Sequence, residues 1–75
     1  MRNFKYLTIM EITINDKAVE LPEGSTLQQA LELQGISSTG IATAVNNNVV
    51  ARDSRSTFVL SHGDKILIIK AFYGG

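Results

Sequence analysis

Residues 62–75 read HGDKILIIKAFYGG, and the strand inside that stretch decides the fold. From Ile66 to Phe72 a pleated backbone sends Ile66 and Ile68 to one face and Leu67, Ile69 and Ala71 to the other. A strand that is apolar on both faces belongs in the middle of a sheet. Lys70 shares the register of Ile66 and Ile68, so the covered face is expected to stop near Ile68. Leu67, Ile69 and Ala71 are then left on a partly open face suited to docking a partner. The competing reading has that face covered by the N-terminal segment or by a loop.

Working outward, Ser61 to Asp64 form a turn before this strand, and Phe58, Val59 and Leu60 anchor the chain to the core. At the other end, Met10, Ile12 and Ile14 alternate with Glu11, Thr13 and Asn15, the period of a half-buried strand. Asn15 and Asp16 supply turn chemistry, Ala18, Val19 and Leu21 read as the returning arm of a hairpin, and Pro22 to Gly24 end it. Ser25 to Gln34 reads as a helix of about three turns. Its start is a capping box, either Ser25 with Gln28 or Thr26 with Gln29, Leu27, Ala30, Leu31 and Gln34 share a stripe of which the first three read as core, and Gly35 is its stop. Ile41 to Val45 reads as a third strand, Asn46 to Asn48 as a tight turn, Val49 and Val50 as a short return, and Ala51 to Thr57 as a charged loop. The expected architecture is α+β, one helix laid across one face of a mixed sheet. Residues 1–9 are expected to be a flexible extension, 10–71 the domain and 72–75 a mobile tail.

A chain of 75 residues has room for one domain and none for a separate catalytic lobe, which disfavours a self-contained enzyme. With 44% hydrophobic and 19% charged residues it is too apolar for disorder, and its longest aliphatic run, Ile66 to Ile69, is far short of a membrane span. Seven basic residues balance seven acidic ones, so bulk charge draws in neither nucleic acid nor an anionic membrane. The absence of cysteine removes disulfides, thiolate metal sites and a thiol nucleophile. Met1 to Thr8 lack the apolar core and cleavage site of a signal peptide, so a cytoplasmic location is expected.

The sequence stops at Ala71-Phe72-Tyr73-Gly74-Gly75. A terminal Gly-Gly carries no side chain, so it fits a channel too narrow for any Cβ and takes the backbone angles the channel demands. Five residues leaving the sheet near Ala71 reach about 17 Å when extended, enough to deliver the Gly75 carboxylate into another protein's active site. Activation of that carboxylate by ATP as an acyl-adenylate makes its carbonyl attackable, and attack by a persulfide sulfur leads to a thiocarboxylate. Phe72 and Tyr73 flank the glycines and are candidates to anchor the tail to a partner, Phe72 being the one more suited to capping the core.

The hairpin start MEITIND, the helix opening Gly24-Ser25-Thr26-Leu27, Ala44-Val45-Asn46 followed by Val49-Val50 and Arg52, and His62-Gly63-Asp64-Lys65-Ile66 leading to Gly74-Gly75 resemble the ubiquitin-like β-grasp sulfur carriers. Within that group the chain is most similar to the carriers of thiamine biosynthesis, the ThiS family, from about Met10 to Gly75. The resemblance implies a protein co-substrate with no catalysis and no bound cofactor of its own, a monomer when free. Gly75 would be adenylated with ATP by a ubiquitin-activating-like adenylyltransferase, converted to a thiocarboxylate, and presented to thiazole synthase as the sulfur source. Gly74, Tyr73 and Phe72 would bind in the partner's cleft, and Leu67, Ile69 and Ala71 would dock on its surface. Two features depart from the family: the longer N-terminal segment, and the lack of the aromatic residue common soon after the arginine, where Ser54, Arg55 and Ser56 stand here. The alternatives are the small subunit of molybdopterin synthase, a ubiquitin-like modifier joined to lysine through Gly75, and an interaction module with an inert tail.

The remaining polar residues carry less. His62 and Asp64 read as turn residues rather than as a base or acid. Arg52 and Arg55 read equally as steering charges for an acidic partner or as the solvated face of a loop.

Overall fold

Both hairpins of the protein turn on asparagine. In the computed structural model, which describes residues 8–70, β1 (Ile9–Ile14) and its antiparallel partner β2 (Lys17–Pro22) are joined by Asn15 and Asp16, with φ of 49° and 71°. Positive φ at both central positions is the type I′ turn, whose twist suits paired strands, and Asn and Asp adopt it at lower cost than other side chains. The same turn recurs at Asn46 (51°) and Asn47 (71°), which join β3 (Ile41–Val45) to β4 (Asn48–Val50). Asn48, expected in the turn, is therefore the first residue of β4. A short 3-10 turn (Arg52–Ser54) follows, and β5 (Lys65–Lys70) closes the domain.

The five strands lie in the order β2-β1-β5-β3-β4. β5 is parallel to β1 and antiparallel to β3, which makes it the central strand that its two apolar faces require. One helix crosses one face of this mixed sheet, the ubiquitin-like β-grasp arrangement within the α+β class. The pairing of β1 with β5 covers only Thr13 with Lys65 and Ile14 with Ile66. The side chain of Asn15 extends it, accepting from Ile68 N at 2.8 Å and donating to Ile68 O at 3.3 Å. On the other flank Asn46 accepts from Lys65 N at 3.0 Å and donates to Asp64 at 2.9 Å. The asparagines that shape the two turns thus also hold β5 at Lys65 and Ile68.

The helix α1 (Leu27–Leu33) opens with Thr26, whose hydroxyl accepts from Gln29 N at 3.1 Å while the Gln29 side chain accepts from Thr26 N at 2.9 Å. Of the two possible capping boxes this is the one that forms. Ser25 instead donates its hydroxyl to Pro22 O at 2.6 Å, and its carbonyl accepts from Leu60 N at 2.9 Å. At the other end Gly35 adopts φ 69°, and the bonds Gly35 N to Glu32 O (3.1 Å) and Ile36 N to Leu31 O (2.8 Å) complete a Schellman stop. These two closures leave seven residues, about two turns rather than the three expected, because Ser25 and Thr26 are drawn into extended contact with residues 58–60. So short a helix is stable only through packing. Leu27, Ala30 and Leu31 supply it, buried over a core built from Met10, Ile12, Ile14, Leu21, Val45, Val50, Leu60 and Ile66.

The N-terminal boundary falls slightly earlier than the alternation indicates. Ile9 already pairs with Pro22, and Thr8 O accepts from Glu23 N at 3.0 Å. Residues 1–7 lie outside the described residues.

Candidate functional site

With one helix available, one face of the sheet is left open, and the strand alternation decides what stands on it. On β5 the outward side chains are Lys65, Leu67 and Ile69, with Leu67 48% and Ile69 55% exposed, whereas Ile66, between Lys65 and Leu67, is 2% exposed. Their cross-strand neighbours on β3 are Ala44 and Ala42. Alanine at both positions leaves the branched side chains of β5 standing proud of the sheet. Beyond Ala44 lies Val49 of β4, 82% exposed, which extends the apolar strip across three strands. No described loop covers it, in keeping with the open face expected from the register of Lys70; the N-terminal segment of the competing reading lies largely outside the described residues. Ala71, the third residue assigned to this face, lies outside them.

Lys70, the last described residue, is exposed. A groove of about 520 Å³ runs between it and the 35–41 loop. The residues expected to carry the chemistry, Phe72, Tyr73, Gly74 and Gly75, follow Lys70 in sequence and lie outside the described residues.

The turn residues behave as turn residues. His62 accepts from Glu11 N through Nδ1 at 3.0 Å, and Asp64 accepts from Ser61 N at 2.8 Å as well as from Asn46. Among the described residues no group of three or more His, Asp or Glu side chains is placed to hold a metal ion, and no helix is long and apolar enough to cross a membrane.

Arg55 differs from both sequence readings. It is neither a steering charge nor a solvated one: it is 2% exposed and directs its guanidinium into the interior. Nε donates to Thr43 Oγ1 at 3.1 Å, Nη1 to Ser38 O at 3.0 Å and Nη2 to Ile41 O at 2.9 Å. Thr43, also buried, donates onward to Val50 O at 2.9 Å. Arg52 remains exposed. Nothing local in Ser54-Arg55-Ser56 signals the burial, since the acceptors come from residues 12 to 17 positions away.

Comparison with known proteins follows the same lines. Residues 7–75 match the model of the ThiS family. The sulfur carrier protein ThiS of Escherichia coli (strain K12) is 32% identical over 66 residues, spanning 88% of this chain and all of that protein. The crystal structure of the thiamine biosynthesis protein ThiS from Geobacter metallireducens superposes with a TM-score of 0.74 at 20% identity, covering 88% of this chain and 99% of that one, a likeness of fold. On the family match, which takes in the hairpin, the open face and the terminal glycines together, the chain belongs to the ThiS family.

Proposed function

We propose that this protein carries sulfur on its own C-terminus, as a thiocarboxylate at Gly75 formed through an acyl-adenylate and used to build the thiazole ring of thiamine. The coarse part of this reading, a non-catalytic sulfur carrier of thiamine biosynthesis acted on by partner enzymes, follows from family membership. The finer part rests on one observation: the family match runs through to Gly75, so it includes the Gly74-Gly75 pair.

The chemistry has three steps before delivery. The Gly75 carboxylate attacks the α-phosphate of ATP and pyrophosphate leaves, which converts a poor electrophile into a mixed anhydride. A persulfide sulfur then attacks the carbonyl, AMP leaves with the bonding pair, and reductive cleavage of the sulfur–sulfur bond by a thiol releases the thiocarboxylate. Gly74, Tyr73 and Phe72 are assigned to the partner's cleft. The open strip of Leu67 and Ile69, with Ala71 assigned to the same face from the sequence alternation, is assigned to docking the ubiquitin-activating-like adenylyltransferase, and thiazole synthase is the acceptor. The same reading has the chain working in the cytoplasm, a monomer between encounters.

Intact mass spectrometry tests it. Incubated with ATP, a matched activating enzyme and a sulfur donor, the chain gains the mass difference between sulfur and oxygen, and a variant lacking Gly75 gains nothing. A conjugate to a lysine-bearing protein would indicate a modifier instead, and an unchanged mass beside a competent partner would contradict the carrier reading.

A further inference from the structure

Among the described residues Arg55 is the one buried charged side chain, and the positions of its acceptors give it a task beyond filling the core. The two halves of β5 are held differently. Up to Ile68 the strand has partners on both sides, β1 with the Asn15 side chain on one and β3 on the other. Among the described residues Ile69 and Lys70 pair with β3 alone, through Ala42 and Ile41. Ile41 is itself the first residue of β3, reached from a loop, and its carbonyl accepts from Arg55 Nη2 at 2.9 Å while Nη1 holds the same loop at Ser38 O. Arg55 is anchored in turn, its carbonyl accepting from Gln28 N of α1 at 3.0 Å and its Nε bonded to Thr43.

We infer that Arg55 is a positioning residue for sulfur loading: by clasping Ser38 and Ile41 it fixes the last described pairs of β5, the strand that leads in sequence to Gly75. The inference rests on the carrier reading. A partner that grips both the Leu67–Ile69 strip and the terminal glycines needs a defined path between them, and Lys70 is where that path begins. Freeing Ile41 frays the Ile41–Lys70 and Ala42–Ile69 pairs, so ordering that the fold supplies in advance must be supplied on binding. The chemistry at Gly75, once seated, is untouched. The cost therefore falls on KM and not on kcat.

Three variants separate this role from general stability. Arg55→Met keeps an unbranched stem and removes every donor, leaving two backbone carbonyls unpaired. Arg55→Lys retains a charge but not the fork that reaches separated acceptors, so it is intermediate. Thr43→Val removes the Nε acceptor and the bond to Val50 while leaving the Ser38 and Ile41 bonds in place. Thiocarboxylate formation is followed by intact mass against carrier concentration, and amide hydrogen exchange by NMR. The expected result is a KM raised about fivefold in Arg55→Met with kcat within about twofold, and a smaller rise in Arg55→Lys. Exchange is faster at Ala42 and Ile69 but unchanged at Ile12 and Val19 of the first hairpin, and Thr43→Val lowers stability without the KM shift. Should Arg55→Met fail to fold, Arg55→Lys carries both readouts. An unchanged KM despite local fraying, or a KM that tracks stability equally in Thr43→Val, would overturn the inference, as would exchange that accelerates uniformly. Failure of the wild-type chain to gain sulfur would count against the carrier reading alone, because hydrogen exchange tests the clasp without any partner.

Discussion

Ile66 and Leu67 are adjacent in sequence, share a strand and have almost the same size, yet one is sealed under the helix and the other is half exposed to water. The face under α1 holds Ile66 with Met10, Ile12, Ile14, Val45 and Leu27, and its side chains contribute to folding. The opposite face holds Leu67, Ile69 and Val49 over two alanines, and its apolar area gives the free molecule little. A β-grasp domain with a single helix has only enough material to cover one side of its sheet. An apolar strip on that side fits the docking role proposed for it.

Substituting across that boundary should separate the two faces. Ile66→Asp places a carboxylate in the core without a partner, and the expected result is loss of the folded state, read by circular dichroism at 25 °C, because the penalty of several kcal/mol approaches the whole stability of a domain this size. Leu67→Asp and Ile69→Asp, one and three positions further along β5 on the open face, should stay folded, with stability changed by less than about 1 kcal/mol. Their effect should appear in binding: affinity for the activating partner, measured by calorimetry, should fall by about 2 kcal/mol, or roughly thirtyfold. If Leu67→Asp unfolds the protein, the open face is core after all. The smallest effect is expected remote from both faces: Thr26→Ala removes the helix cap and should cost about 1 kcal/mol in chemical denaturation while leaving partner affinity unchanged.

How much of this was legible in the sequence depended on how far apart the interacting residues lie. The central strand, its two faces and the exposure of Leu67 and Ile69 follow from a period of two within one short run, which is local information. The turns at Asn15-Asp16 and Asn46-Asn47 were likewise visible because the residue type itself favours the left-handed region. The length of α1 was overestimated because its start is set by pairing of Thr26 with Val59, a contact between distant segments. Arg55 was misread for the same reason. Its flanking serines and the nearby charges describe a solvated loop, and only the assembled fold brings the carbonyls of Ser38 and Ile41 within reach of its guanidinium. The proposed reactive end is read from sequence as chemistry, from the side-chain-free Gly74-Gly75, because that reading needs no tertiary contact.

The measurement that tests the account most directly locates the sulfur. After loading with ATP, the activating enzyme and a sulfur donor, the C-terminal peptide is isolated and fragmented in the mass spectrometer. The account predicts that the added sulfur resides on the Gly75 carbonyl and nowhere else in the chain; sulfur retained on any other residue, or a loaded chain whose terminal fragment is unchanged, would contradict it.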